Sequence, residues 1–217
     1  HKRLSDNDRG PNTGGMGAYT PVPFVDKKLL KRIEKEIVEP TIKGMAKEGC
    51  LYQGILYPGL ILTKDGPKVL EFNCRFGDPE TQPLMMQLES DLVEIFQAQL
   101  KKRLKKEKIV FKKGFSVSVI LASAGYPGEY KKGEVIFGLD KIKDENIQIF
   151  HSGTKELNKK IVTNGGRVLA VTAYGKTLKE TIKKAYQNIG KKGVYFKGMQ
   201  FRKDIGKKGL LFGNNYD

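Results

Sequence analysis

Val69-Leu70-Glu71-Phe72-Asn73-Cys74-Arg75-Phe76-Gly77-Asp78-Pro79-Glu80 is the stretch on which the reading of this chain turns. On an extended strand, alternate side chains share a face, so Glu71, Asn73 and Arg75 point one way and Leu70, Phe72 and Cys74 the other. The first face is acid, amide and guanidinium; the second is apolar and expected to be buried. A carboxylate and an amide oxygen two residues apart suit a hard divalent cation such as Mg²⁺, which takes few protein oxygens and keeps phosphate and water ligands. An Arg one step further on is placed to meet an anion held by that cation. Alternation of this kind also describes an ordinary strand with one solvated face, and spacing alone does not choose between the two. Asp78-Pro79 reads as a helix start, with Asp as N-cap and Pro at the first helical position.

Outward from this stretch, Ile55 to Thr63 is a second strand, nearly all apolar. Asp65-Gly66 between it and Lys68 to Cys74 predicts an antiparallel hairpin. Upstream, Asp26 is an N-cap for a helix in which Leu29, Leu30, Ile33, Ile37 and Val38 recur at helical spacing. Pro40 is expected to kink or restart it, and Gly49 to close it. Residues 1–25 read as loop around Gly10-Pro11-Asn12-Thr13-Gly14-Gly15-Met16-Gly17. Downstream, helices are expected over Pro79 to Leu88 and Asp91 to Leu104. The basic run Lys101 to Lys113 then forms a boundary, giving domains 1–108 and 109–217. Beyond it the spacing predicts strands at 115–123, 134–137, 147–150, 160–163 and 168–173. One helix, Thr177 to Ile189, is introduced by a Thr177/Glu180 capping box. The fold class is α+β, with the last ten residues a loosely held tail.

Composition narrows the function. With 39% hydrophobic and 29% charged residues, the 217-residue chain is ordinary globular protein. No apolar run approaches the roughly 18–20 residues of a membrane span, and no apolar stretch follows the first residues as in a signal peptide. The missing initiator Met suggests a piece of something longer. Cys50 and Cys74 match no metal spacing and are expected to be two small buried side chains in a reducing compartment. With only His1 and His151, a His-based zinc site is not expected. The net charge of +16 is Lys-rich, only seven of the 40 basic residues being Arg, and it is dispersed. That pattern describes a solvated surface more than a nucleic-acid interface, which favours the bidentate guanidinium.

Two glycine segments complete the candidate residues. Gly14-Gly15-Met16-Gly17-Ala18-Tyr19 has the glycine content of a loop whose amides cradle phosphate, or of a plain surface loop. It is neither a P-loop nor a dinucleotide-binding fingerprint. Gly165-Gly166 is a tight turn, and Arg167 at its exit is either a phosphate contact or a surface charge.

The run Glu71 to Gln82, Glu-Phe-Asn-Cys-Arg-Phe-Gly-Asp-Pro-Glu-Thr-Gln, resembles the metal-binding strand of the ATP-grasp ligases in the form it takes in glycinamide ribonucleotide synthetases. His1-Lys2-Arg3 and Gly10 to Pro21 are similar to the same family, whose corresponding loop lies over the active site. So are Ser90 to Glu94, Gly125-Tyr126-Pro127-Gly128, His151 to Thr154, Asn164 to Leu169 and Phe201 to Gly206. The resemblance therefore spans nearly the whole chain in order. It implies the C-terminal lobe of an ATP-grasp domain, an antiparallel sheet with helices, followed by a small α+β, β-barrel-like domain. It further implies Mg²⁺ or Mn²⁺ on Glu71 and Asn73, ATP as co-substrate, and Arg75 as the catalytic residue. Lys2, Arg3, Gly14, Gly15, Met16, Gly17, Tyr19, Asp78 and Arg167 would hold substrates. The implied reaction joins glycine to 5-phosphoribosylamine through glycyl phosphate in purine synthesis, in the cytoplasm. It would need the N-terminal half of the same protein and no nucleic-acid or membrane partner. A carboxylase of the ATP-grasp kind would share Glu71, Asn73 and Arg75 but not the surrounding phrases. A basic binding protein would instead show steeply salt-dependent nucleic-acid affinity.

Overall fold

In the computed structural model, which describes residues 1–212, three short strands come first: β1 (Arg3–Ser5), β2 (Arg9–Asn12) and β3 (Gly17–Thr20). Helices α1 (Lys27–Ile33) and α2 (Glu39–Lys47) follow, then β4 (Tyr57–Thr63) and β5 (Gly66–Asn73), α3 (Thr81–Gln87) and α4 (Leu92–Leu100). The remainder is β6 (Phe115–Ala122), β7 (Ile147–His151), β8 (Thr154–Leu157), β9 (Lys160–Thr163), β10 (Arg167–Gly175) and α5 (Leu178–Gln187). Of the expected tail, Lys207–Phe212 is a 3-10 turn, and residues 213–217 lie outside the described residues.

These elements form two compact units, each assembled from separate stretches of the chain. One holds residues 24–77 and 89–110; the other holds 1–23, 78–88 and, among the described residues, 111–212. The reason is strand pairing. β3, far upstream in the chain, hydrogen-bonds antiparallel to β6, and α3 packs on β3, β6 and β10.

In the unit built on residues 24–77 and 89–110, Asp26 caps α1, its carboxylate accepting the Leu29 N–H at 2.7 Å. Pro40 does not break the helix. A wider π turn over Glu34–Val38 carries α1 into α2, with the Glu39 N–H reaching back to Glu34 O, which absorbs the donor that Pro40 lacks. β4 and β5 pair antiparallel from Tyr57↔Asn73 to Thr63↔Gly66, confirming the hairpin. Its apolar face is not buried as expected: Leu70 and Phe72 are 63% and 43% exposed, and Cys74 is exposed as well. A two-stranded ribbon has no second layer of its own to cover that side. Cys50, just past the glycine that ends α2, is exposed too, so neither thiol is a core residue. α4 begins at Asp91, whose carboxylate accepts from the N–H groups of Val93 (2.7 Å) and Glu94 (3.2 Å).

The other unit is organised by an antiparallel sheet of order β3-β6-β10-β7. All eight β6 residues are buried, so both faces of the sheet centre are covered. Phe115, Val117 and Val119 meet Leu178, Ile182 and Ala185 of α5 on one face, where each buried aliphatic side chain contributes roughly 1.5–3 kcal/mol. The opposite face carries Ser116, Ser118 and Ile120, and its Thr172 Oγ1 donates to Ser118 Oγ at 2.9 Å. α5 starts at Thr177, which accepts the Glu180 N–H as the capping box requires. Residues 134–137 make isolated bridges, Val135↔Val162 and Phe137↔Tyr195, in place of the expected strand. The sheet is open among the described residues, and β8 and β9 form a separate hairpin.

Candidate functional site

β5 brings Glu71 and Asn73 onto one face, opposite Gly59 and Tyr57 of β4. Leu70 is an extra residue: Gly59 pairs with Glu71 and the next residue, Leu60, with Val69. The bulge lies immediately before Glu71, so it re-aims the strand without breaking the alternation between Glu71 and Asn73. Gly59 leaves room for the acid, since a Cβ there would come within 3.1 Å of Glu71 Cγ. Arg75 lies past the end of the strand rather than on it. Its guanidinium turns back, Nη1 donating to Phe76 O at 2.8 Å and Nη2 lying 3.4 Å from Asn73 Oδ1. Acid, amide and guanidinium therefore do share one side of the chain, the last by folding back. Among the described residues no three His, Cys, Asp or Glu side chains are grouped to hold a metal. One carboxylate plus one amide oxygen is not a closed cage. It fits a cation that completes its shell with phosphate oxygens and water, provided Arg75 swings off Asn73 toward the anion.

Two of the other predicted residues, Asp78 and Arg167, converge in the sheet unit at Gly14. Arg167 Nη1 donates to Gly14 O (2.9 Å) and to Asp78 O (2.7 Å), and its Nη2 pairs with Asp78 Oδ2 at 3.0 Å. Gln82 Nε2 donates to the other carboxylate oxygen at 3.0 Å, while Gln82 Oε1 is buried without a partner. Asp78 is therefore not the N-cap of α3, which starts three residues later with Glu80 at its cap position. Its carboxylate is taken by two side chains instead of by backbone amides. Arg167 is not a free surface charge either, since it ties the glycine loop to the Asp78 turn.

That loop is not a phosphate cradle. The Gly14 N–H donates to Tyr126 Oη (2.8 Å), the Gly15 N–H to Thr13 Oγ1 (2.9 Å) and the Met16 N–H to His1 O (2.8 Å). With three successive amides satisfied internally, no concave row of donors is left for an anion. Its glycines serve close packing. A Cβ on Gly14 would lie 2.9 Å from Arg167 Cζ, and one on Gly15 would lie 2.5 Å from Pro79 Cδ. Met16 is fully buried, and Gly17 belongs to β3. Tyr19 packs its half-buried ring against the core under α5, and burial raises its phenol pKa. Lys2 receives the Thr13 N–H and hydroxyl on its carbonyl, and the Arg3 guanidinium donates to Gly10 O at 2.8 Å. Both thus serve the β1–β2 hairpin.

Reasoning from sequence missed Tyr126 and Gln82, which complete this cluster, and the fully buried Arg202. Arg202 pairs with Asp8 at 2.8 Å and Asp204 at 2.7 Å, and donates to Arg3 O at 3.2 Å. The Gly125-Tyr126-Pro127-Gly128 and Phe201 to Gly206 phrases flagged these segments, but nothing in them told which side chain faces inward.

Profile comparison matches residues 1–81 to the ATP-grasp (A) domain of phosphoribosylglycinamide synthetase and residues 116–208 to its C domain. The chain belongs to the phosphoribosylglycinamide synthetase family. Among its relatives, the trifunctional purine biosynthetic protein adenosine-3 of Gallus gallus is 51% identical over 213 residues, covering 98% of this chain and 21% of that protein. The phosphoribosylamine–glycine ligase of Vibrio vulnificus is 48% identical over 211 residues, covering 97% of this chain and 49% of the other. The chain thus spans about half the length of the bacterial relatives it matches. A crystal structure of the phosphoribosylamine–glycine ligase of Thermotoga maritima superposes with a TM-score of 0.77 at 40% identity, over 94% of this chain and 49% of that one. The biotin carboxylase domain of the Hydrogenobacter thermophilus 2-oxoglutarate carboxylase superposes at 0.62 and 14% identity, over 92% and 42%, and shares the fold alone. The α+β, ATP-grasp architecture is thereby established for this synthetase-family chain. No helix among the described residues is long and apolar enough to cross a membrane.

Proposed function

We propose that this chain supplies the phosphate-handling strand of an ATP-dependent ligase. The enzyme joins glycine to 5-phosphoribosylamine, giving glycinamide ribonucleotide, ADP and phosphate, in the cytoplasm. The observation that supports this most directly is the shared face of Glu71 and Asn73 on β5, with the Arg75 guanidinium folded back toward Asn73. The chemical difficulty is bringing a carboxylate up to a polyanion. A divalent cation, Mg²⁺ or Mn²⁺, bound through Glu71 and Asn73 supplies charge neutralisation and fixes phosphate geometry. Arg75 donates to the phosphoryl group as it passes from ATP to the glycine carboxylate, and then to the oxyanion formed when the amine attacks glycyl phosphate. Gly59, opposite Glu71 in the hairpin and without a side chain, leaves room for the carboxylate on that face.

Half the length of the bacterial relatives is not represented, so the nucleotide-covering portion and the remaining substrate contacts belong to an N-terminal half of the same protein. The isolated chain is expected to be inactive. The test is Glu71→Ala in the full-length protein: Mg²⁺-dependent turnover is lost while the circular dichroism spectrum and melting temperature are kept. Unchanged kinetics would remove Glu71 from the reaction.

A further inference from the structure

Among the described residues, the hydrogen bonds of the Arg75 side chain reach no further than its own stretch of chain. The guanidinium donates to Phe76 O at 2.8 Å and lies 3.4 Å from Asn73 Oδ1, and the residue is exposed. Contacts this local travel with the backbone, so the place of the guanidinium is set by whatever holds the peptide on either side. Upstream that is the β4–β5 ladder, whose last pair is Tyr57↔Asn73. Between the two ends, the Phe76 ring meets Phe96 of α4 at 6.3 Å between centroids.

Downstream the next fixed point is Asp78, three residues on and so within roughly 10 Å along the chain. Asp78 is also where the chain passes from the hairpin unit, which ends at Gly77, into the sheet unit. Arg167 donates to its carbonyl at 2.7 Å and to its carboxylate at 3.0 Å, and Gln82 takes the second carboxylate oxygen at 3.0 Å. Pro79, the following residue, is buried and packs on Gly15 with no room for a side chain there. Arg167 is itself anchored at the start of β10, paired with Ala122 of β6, and its carbonyl accepts the Gly153 N–H at 3.0 Å.

We propose that Arg167 is a positioning residue for Arg75. By holding Asp78 it fixes the downstream end of the short segment that carries the guanidinium, 92 residues away in sequence. A direct role on phosphate is less well served by this geometry. The two terminal nitrogens of Arg167 already meet the Gly14 and Asp78 carbonyls and the Asp78 carboxylate, so an incoming phosphate would compete with an anion already in place. The catalytic consequence of this positioning rests on the ligase reading above; the ordering of the segment does not. A donor must sit where charge develops to be of use, and a displacement of about 1 Å can cost about 10²-fold in rate.

Two measurements test it. In the 217-residue chain, the ¹⁵N order parameters of the amides of residues 75–77 are expected to fall in Arg167→Ala from the rigid range near about 0.85 to about 0.6 or below. Those of Leu60 and Val69 in the hairpin ladder should not move. In the full-length enzyme, assayed well below its melting temperature, Arg167→Ala should lower kcat about tenfold or more with KM for ATP within about twofold. Arg167→Lys should restore part of that loss, and Arg167→Ala should slow an enzyme that is already Arg75→Ala by less than about twofold. Should Arg167→Ala fail to fold, Asp78→Asn, which removes the charge and keeps the carbonyl, carries the same expectations. Unchanged order parameters at 75–77, a raised KM with kcat kept, or a full kinetic penalty on top of Arg75→Ala overturns the proposal. Full turnover by Glu71→Ala would instead sink the ligase reading and leave the order parameters standing, so the two failures are distinct.

Discussion

Arg167 and Asp78, 89 residues apart, are joined twice, guanidinium to carboxylate at 3.0 Å and guanidinium to backbone carbonyl at 2.7 Å. The same guanidinium nitrogen that reaches the Asp78 carbonyl also holds Gly14 O. One side chain thereby fastens three segments, and its side chain is only 20% exposed. Bonds to a charged donor are worth about 1.5–3 kcal/mol when one partner is removed from a sheltered place. Arg167→Ala is expected to lower stability by about 2–3 kcal/mol, a fall of roughly 5–10 °C in melting temperature for a chain of this size. Arg167→Lys, a point donor without the fork, should recover only part of it. Calorimetry decides, and a loss within about 0.5 kcal/mol, typical of a surface position, would show that the clasp carries no weight.

Gly14 offers an independent check of the same packing. Its backbone is not in the left-handed region, so alanine there is opposed by the Arg167 guanidinium, 2.9 Å from the new Cβ, rather than by φ. Gly14→Ala should cost about 1–2 kcal/mol in the parent chain and close to nothing once Arg167 is already alanine. Such strong coupling between the two positions is what a double-mutant cycle in urea reads. Additive costs would mean that the loop tolerates the methyl by another route.

The hairpin of β4 and β5, the capped helices and the central strands were legible because each carries its own local signal. Asp26 and Thr177 cap where their side chains imply, and the Glu71/Asn73 alternation survives intact. What sequence concealed was non-local. β3 is only four residues long and becomes a strand because β6 lies beside it. The Gly14 to Gly17 segment has the composition of an anion loop, yet its amides go to Thr13, Tyr126 and His1, partners up to 112 residues away. Leu70 and Phe72 look like core residues by pattern, but alternation says only that they share a face and not that anything covers it.

Among the described residues the Arg75 side chain makes two hydrogen bonds, one to its neighbour Phe76 and a long one to Asn73, and it is exposed. Its removal should therefore leave stability within about 0.5 kcal/mol. In the full-length enzyme, loss of a donor to a developing oxyanion typically costs about 10²–10³ in kcat, with KM for ATP little changed. Arg75→Ala followed by steady-state kinetics and thermal melting separates the two. A kcat within a factor of about three of the parent would remove Arg75 from the chemistry.

The acid limb of stability should be set by the cluster around Arg202. Burial alone would raise the Asp204 carboxyl, but the hydrogen bonds from Arg202 and from the Asn7 N–H outweigh it and hold the group down to about 2. Asp8 is lowered too, by Lys208 and Arg202. A carboxylate whose pKa is depressed by folding stabilises the folded state above its unfolded value, and this contribution is lost as pH falls toward the folded value. For Asp204 that window runs from about 4 down to about 2, and the shift from 3.8 corresponds to about 2 kcal/mol. Asp204→Asn should therefore be about 2 kcal/mol less stable at pH 7, with the gap to the parent closing between pH 4 and 2. Urea unfolding across that range measures it, and a gap that stays constant with pH would mean that Asp204 acts through shape and hydrogen bonding alone rather than through its charge on Arg202.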